Sequence, residues 1–314
     1  MAVDPQIQTL LDTINAQPHP AFAELTAEQA RAGVTNMLAT LNGDRSFPDV
    51  SSEDVELGRA GLRGRHYRPI DETGVLPCLV FFHGGGWVVG DLNTHDVFCR
   101  RLTSLTGCAI VAVDYRLAPE SPFPAAVNDA LAAVAAVREA AGSLAIDLDM
   151  IVVGGDSAGG NLAAVVAQAF PESIAGQLLI CASTDLGAAL EPGTSRALFS
   201  KGYIVSEEEI GWYADQYVPD GADRNDWRVS PLRGSPSGHV PAIVVTCGFD
   251  PLRDEGLAYS AALAKAGAEV THHNFASLVH GFNLLDAVSA EADRAVQTVA
   301  RSLRLLMAKG TPGV

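Results

Sequence analysis

The sequence has few cysteines, and their positions exclude several kinds of site. Five cysteines occur in 314 residues, and they form no CxxC pair and no metal-ligand spacing. Four of them lie in or beside apolar runs such as PCLVFF and CAIVAV, where a free cysteine behaves as a small hydrophobic residue. An odd number of cysteines in these surroundings indicates a reducing compartment. The expected location is therefore the cytoplasm.

Positive charge and long apolar runs are also scarce. The chain has 21 Lys and Arg against 37 Asp and Glu, a formal net charge of −16. A surface of this sign repels polyanions, which argues against nucleic acid and anionic membranes as partners. The first residues, MAVDPQIQTLLDTI, have neither the basic nor the apolar region of a secretory signal. No run approaches the ~18 apolar residues of a membrane span, so we expect no membrane-spanning segment.

Signatures of bound nucleotides and metals are missing as well. The chain contains no P-loop and no HExxH, and the run GGDSAGG does not fit GxGxxG with its acidic partner. We therefore expect no cofactor and no metal.

From about residue 57 the chain alternates short β-branched runs with longer helical patterns. This alternation is typical of a parallel sheet with crossover helices. Several apolar runs are nearly continuous, as expected for strands covered on both faces. The sequence predicts an α/β fold with a mostly parallel, doubly wound sheet. The predicted strands are 62–69, 77–83, 108–115, 150–156, 177–183, 241–247 and 269–275, and the predicted helices are 93–106, 124–141, 158–169, 254–267 and 288–308.

Two segments do not fit the alternation. Residues 1–45 predict two helices, at 5–15 and about 26–41, before any strand. Residues about 185–238 predict a loop, a helix from Ser206 and a second loop. We interpret both as a helical cap over the carboxyl edge of the sheet, where ligands bind in open α/β folds. The main domain is then 46–314, with the cap insertion at about 185–238.

A serine lies in the strongest motif of the chain. GDSAGG (155–160) follows the apolar run IVVG directly. GxSxG between a strand and a helix is the pattern of a nucleophile elbow, a strained turn that exposes the serine hydroxyl. The following helix directs N–H groups towards developing negative charge. A glycine-rich turn also has purely structural uses, but this context favours Ser157 as a nucleophile.

Ser157 needs a base, and the order of residues along the chain selects among the histidines. In a fold of this kind the acid and then the histidine follow the serine, each after a strand. His280, in LVHGF, follows the last predicted strand, whereas His272 and His273 lie inside it and His239 precedes a strand. His280 is therefore the predicted base.

The acid that orients the imidazole must also follow a strand. Asp250 comes directly after VVTCGF. Asp254 is the alternative, although a position on the first turn of the next helix suits the helix dipole better than catalysis. Asp250 is the predicted acid.

A glycine loop, HGGGW (83–87), follows the strand LVFF. Acyl transfer passes through an oxyanion that needs preorganised N–H donors, and backbone amides in a glycine loop can come that close to a substrate. The expected donors are the amides of Gly84 and Gly85, with that of Ala158 from the elbow. His83 is expected to fix the loop rather than act as a second base. A glycine-rich turn without a ligand is the alternative.

Together these residues resemble the hormone-sensitive lipase family of α/β-hydrolases. The motifs, in family order, are HGGGW (83–87), DYRLAPESPFPAA (114–126), GDSAGGN (155–161), DPLRDEG (250–256) and HGF (280–282). The resemblance implies the same triad and oxyanion hole, and a cap built from the amino-terminal helices and an insertion. It is also compatible with a homodimer, although no residue pattern identifies an interface.

The expected function is that of a serine carboxylesterase acting on neutral, small-molecule esters with short to medium acyl chains. A non-catalytic binding protein on the same fold and an amidase or deacetylase are the alternatives. Aromatic residues of the cap either line an acyl pocket or pack the cap onto the sheet. The candidates for substrate contact are Trp87, Phe199, Trp212, Tyr213 and Tyr217.

Overall fold

A sheet of eight strands runs through the centre of the protein in a computed structural model, which describes residues 2–16, 24–58 and 61–308. The order of strands across the sheet is β1-β2-β4-β3-β5-β6-β7-β8. β2 is antiparallel to both of its neighbours, and the remaining pairs are parallel. The strands are β1 (Val50–Leu57), β2 (Leu62–Pro69), β3 (Leu76–Phe82), β4 (Ala109–Asp114), β5 (Ile146–Asp156), β6 (Gly176–Ile180), β7 (Ala242–Phe249) and β8 (Val270–Val279).

Helices cover both faces of this sheet, which confirms the predicted α/β architecture. Residues of β3 alternate between two apolar cores, since Leu79 and Phe81 lie in one and Val80 and Phe82 in the other. A strand buried on both faces produces the nearly continuous apolar run seen in the sequence. The helices are α1 (Pro5–Asn15), α2 (Ala27–Asn42), α3 (Asp96–Thr106), α4 (Ala125–Ala140), α5 (Ala158–Ala169), α6 (Ser195–Leu198), α7 (Glu207–Tyr217), α8 (Arg253–Ala266) and α9 (Ala290–Ala308).

The carboxyl ends of four parallel strands place the predicted motifs together. The glycine loop follows β3, the elbow follows β5, Asp250 follows β7 and His280 follows β8. Since parallel strands end at the same edge of a sheet, these four segments meet there. Among the described residues, no helix has the length and apolarity needed to cross a membrane.

The two segments interpreted as a cap both approach this edge. In α2, Arg31 donates to the carbonyl oxygens of Val88 and Ala118 at 2.8 and 2.9 Å. α7 begins at the predicted Ser206 with a capping box, in which the Ser206 side chain accepts the Glu209 amide and the Glu209 side chain accepts the Ser206 amide. Parts of the predicted segments, residues 1, 17–23, 59–60 and 309–314, lie outside the described residues. The division into cap and main domain stays a prediction.

Candidate active site

Ser157 lies at a sharp turn between β5 and α5. Its backbone holds φ +52° and ψ −117°, a conformation that costs a non-glycine residue on the order of 1–3 kcal/mol. Glycines allow the turn, since a Cβ on Gly159 would come within 3.0 Å of the backbone of Phe82. The Ser157 amide donates to the Ile180 carbonyl at 2.8 Å. The nucleophile position is thus set by backbone contacts with the neighbouring strands.

His280 connects Ser157 to Asp250. Nε2 of His280 lies 3.0 Å from Oγ of Ser157, and Nδ1 lies 3.0 Å from Oδ2 of Asp250. The other oxygen of Asp250 accepts the Leu252 amide at 2.8 Å, which fixes the carboxylate. Asp254, the alternative acid, instead accepts the Ser195 amide at 2.8 Å. The structure therefore brings together the three residues selected from the sequence.

The environment of His280 favours its charged form. Burial lowers the pKa of His280, but the carboxylate of Asp250, together with those of Asp156 and Glu209, raises it more, so the pKa lies above its ordinary value. A histidine beside a fixed carboxylate can accept a proton from the serine and hold it as an imidazolium.

The glycine loop differs from expectation at one residue. The Gly84 amide donates to Oδ1 of Asp156 at 2.9 Å, so the prediction that it serves as a free oxyanion donor is wrong. Gly85 and Gly86 hold φ +119° and +58°, which only glycine adopts readily. Within the described part of the chain, the amides of Gly85, Gly86 and Ala158 have no hydrogen-bond acceptor. These three remain available to an anion.

A buried polar network that was not predicted from the sequence holds the glycine loop in place. Besides the Gly84 amide, Asp156 contacts His95, whose Nε2 lies 3.3 Å from Oδ1. Burial raises the pKa of Asp156, but His95, His83 and His280 together lower it more. The acidic residue before Ser157 in GDSAG and the THD that follows the glycine loop are the signals that point to this pair.

His83 is fixed within the same network. Its ring stacks on Tyr115 with centroids 4.3 Å apart, and its Nδ1 lies 2.8 Å from the Gly84 carbonyl oxygen. Burial, with repulsion from His95, lowers the pKa of His83 to about 4. A neutral, buried imidazole at this position fits the expected loop-fixing role and not that of a second base.

Two of the five aromatic candidates are packing residues. Trp87 and Tyr217 stack in parallel with centroids 4.3 Å apart, and both are buried. They attach helix α7 to the end of the glycine loop, so their assignment to substrate contact is wrong.

The other three aromatic candidates lie nearer to the functional segments. The ring of Tyr213 lies directly against Gly86, because a Cβ added there would overlap its Cγ. Trp212 meets Tyr213 edge-on, with centroids 5.3 Å apart. Phe199 packs edge-on against Phe249, the residue before Asp250, with centroids 5.5 Å apart. Tyr213 is therefore in direct contact with the glycine loop.

Comparisons with known proteins agree with this geometry. Residues 79–284 match the family model described as alpha/beta hydrolase fold. The carboxylic ester hydrolase LipN of Mycobacterium tuberculosis is 39% identical over 295 residues, which cover 89% of this chain and 77% of that protein. An ethyl acetate hydrolase of Pseudomonas putida is 34% identical, covering 97% of this chain and 99% of its own length.

Solved structures give the same result. The hyperthermophilic esterase from the archaeon Pyrobaculum calidifontis superposes with a TM-score of 0.88 at 34% identity, covering 98% of this chain and 99% of that one. The chain therefore belongs to the hormone-sensitive lipase family of α/β-hydrolases, as its motifs predicted.

Proposed function

We propose that this chain is a serine carboxylesterase that hydrolyses neutral esters with short to medium acyl chains through an acyl-enzyme on Ser157. The carboxylic ester hydrolase and the ethyl acetate hydrolase named above align with this chain over most of their length. The chain is therefore a carboxylic ester hydrolase. The observation that carries the mechanism is the position of His280, 3.0 Å from both the Ser157 hydroxyl and the Asp250 carboxylate.

The first half of the reaction follows from these contacts. Nε2 of neutral His280 takes the Ser157 proton while Oγ attacks the ester carbonyl carbon. Asp250 accepts the Nδ1–H of His280, which keeps Nε2 free as the base and stabilises the imidazolium. The tetrahedral intermediate then expels the alcohol, which receives its proton from His280. Water repeats the sequence on the acyl-enzyme and releases the acid.

The oxyanion of the tetrahedral intermediate needs donors that no other group occupies. We assign the amides of Gly85 and Ala158, as expected from the sequence, together with that of Gly86 in place of Gly84. The supporting observation is that Asp156 holds the Gly84 amide. Loss of one such donor typically costs about 10²–10³ in kcat.

The charges around His280 support neutral substrates. Besides Asp250, the carboxylates of Asp156 and Glu209 also raise the pKa of His280 by electrostatic attraction. Carboxylates this close to the reaction centre repel an anionic acyl chain or alcohol. The apolar rings of Tyr213 and Trp212 on α7 are the proposed contacts for the acyl chain.

Hydrolysis of p-nitrophenyl butyrate by Ser157→Ala tests the proposal. We expect a loss of roughly a thousandfold or more, since removal of a triad residue typically has an effect of this size. Ser183→Ala is the matched control, because the Ser183 amide donates to the Ser157 carbonyl but the Ser183 hydroxyl makes no hydrogen bond to the described residues. A folded Ser157→Ala variant with the activity of Ser183→Ala would overturn the mechanism.

Two alternatives are separated by the same assay. A well-folded wild type that binds the ester without turnover would indicate a non-catalytic binding protein. Comparison of p-nitrophenyl butyrate with butyryl p-nitroanilide separates an esterase from an amidase, because both share the acyl group and differ in the leaving group.

Location and assembly are further proposals. All five cysteines are free and buried, which supports a reducing compartment such as the cytoplasm. The homodimer stays a prediction, and light scattering on the purified chain would test it by giving one or two chain masses.

A further inference from the structure

His280 belongs to a cluster of side chains with metal-binding atoms. Cys181, Asp250 and His280 each direct one such atom into a space where the three atoms lie within 4.8 Å of one another. All three residues are buried. A second thiol adjoins them, since the sulfur of Cys247 lies 3.7 Å from that of Cys181. The cluster thus offers one sulfur, one imidazole nitrogen and one carboxylate oxygen, and Cys247 adds a second sulfur next to that of Cys181.

The fold holds the two thiols at this position. Cys181 follows β6, and its amide donates to the Val245 carbonyl on β7 at 2.8 Å. Its φ of +46° is a conformation that costs a non-glycine residue on the order of 1–3 kcal/mol. Cys247 lies within β7 itself. The backbone positions of both cysteines are therefore set by two paired strands.

This set of donors matches one class of cation. Thiolate and imidazole ligands with a single carboxylate suit borderline-soft divalent ions such as Zn²⁺ and Cd²⁺, whereas Mg²⁺ and Ca²⁺ prefer oxygen ligands throughout. In a tetrahedral site with Zn–S bonds of about 2.3 Å, two sulfurs lie about 3.8 Å apart. The 3.7 Å between Cys181 and Cys247 is close to that separation.

We propose that Cys181, Cys247, Asp250 and His280 form an inhibitory site for a thiophilic divalent cation of the Zn²⁺ type. Inhibition of ester hydrolysis by the cation rests on the proposed function, whereas binding of the cation does not. Each thiol loses its proton to solvent as a metal–sulfur bond forms. The Nδ1–H···Oδ2 hydrogen bond between His280 and Asp250 is replaced by a bond from each group to the metal. No electrons are transferred.

Occupation of the site removes the base. Nδ1 is the nitrogen of His280 that faces Asp250. When a metal binds there, the proton of the neutral imidazole is carried on Nε2. An Nε2–H can donate to Ser157 but cannot accept its proton, so the nucleophile is no longer activated. The cation therefore stops turnover without contacting Ser157 or the oxyanion amides.

Cadmium binding to the full chain tests this inference with a readout separate from activity. Chelator-treated protein is titrated with Cd²⁺, and the thiolate-to-cadmium absorption band in the ultraviolet is recorded beside the p-nitrophenyl butyrate rate. The variants are Cys181→Ala, Cys247→Ala and the matched control Cys78→Ala, which also removes a buried thiol. Each rate is expressed relative to the metal-free rate of the same variant, and Mg²⁺ serves as the hard cation.

We expect a band in wild type and Cys78→Ala that saturates at one Cd²⁺ per chain, with the rate falling in parallel. Cys181→Ala should weaken both effects about a hundredfold or more, because loss of an outer-shell partner alone costs roughly 10–100-fold in metal affinity. Cys247→Ala should weaken both as well, and Mg²⁺ should have neither effect.

Three results would overturn the site. They are the absence of a band in active wild type at excess Cd²⁺, equal inhibition of Cys181→Ala, and loss of the band in Cys78→Ala. Because the band is read without substrate, a chain that binds Cd²⁺ but hydrolyses no ester would refute the proposed function and leave the site in place.

Discussion

Replacement of Gly86 by alanine tests whether the glycine loop supplies an oxyanion donor at this residue. A Cβ on Gly86 would overlap Cγ of Tyr213, well inside the 3.0 Å that real Cβ contacts respect. Either the loop or helix α7 must therefore move. The Gly86 amide, which has no acceptor among the described residues, moves with the loop.

Two free energies set the expected size of the effect. An L-residue at φ +58° costs about 1–2 kcal/mol, which lowers the free energy of unfolding by that amount. Displacement of one oxyanion donor raises the barrier by about 2.7–4 kcal/mol, which lowers kcat by about 10²–10³-fold. KM should change less, because the donor acts on charge that develops after the substrate binds.

The assay measures kcat and KM for p-nitrophenyl butyrate together with unfolding in urea. Gly211→Ala is the matched control, since Gly211 is in the same helix as Tyr213 and an added Cβ there meets nothing within 4 Å. If Gly86→Ala were destabilised but kept the kcat of Gly211→Ala, the amide of Gly86 would not be a donor.

Two further predictions concern the base and the cap helix. Burial lowers the pKa of His280, but Asp250, Asp156 and Glu209 together raise it more, to above the ordinary 6.5. We therefore expect kcat/KM to fall as the pH drops through a midpoint above 6.5, where His280 becomes protonated. Asp250→Asn should lower kcat about 10⁴-fold and move that midpoint to lower pH; an unshifted pH–rate profile would contradict the assigned electrostatics. Gly211→Ala should raise the free energy of unfolding by about 1 kcal/mol through helix propensity, and a decrease in the urea midpoint would refute this.

The sheet was largely predictable because most of its strands are buried on both faces and form apolar runs. β1 was missed. Its sequence, VSSEDVEL, is polar, and four of its eight residues are exposed, because it lies at the edge of the sheet and pairs with β2 alone. A strand whose side chains face solvent carries no strong apolar pattern, so its existence depends on backbone pairing that the sequence does not display.

The site was predictable in its types of residue and less so in its backbone detail. Motif order selects Ser157 and His280, because strand ends dictate where such residues must lie. Which glycine amide is free depends on Asp156, a carboxylate 72 residues from Gly84 along the chain. A hydrogen bond between residues this far apart along the chain cannot be predicted from the local sequence.

The proximity of Cys181 and Cys247 could not be predicted from the sequence for a related reason. Cys181 and Cys247 are 66 residues apart and lie in apolar runs that predict only burial. Their proximity follows from the pairing of β6 with β7. Spacing rules for metal sites apply to ligands on one loop or helix, and this set comes from the ends of neighbouring strands.

The contact of helix α7 with the glycine loop has a consequence for directed evolution of this protein. Tyr213 lies against Gly86, and Tyr217 stacks on Trp87, so one helix borders the proposed acyl pocket and supports the loop beneath it. A library that varies α7 to broaden selectivity therefore also alters transition-state stabilisation. Substitutions in α7 therefore change selectivity and turnover together. Improved variants require compensating substitutions in the glycine loop where it contacts this helix.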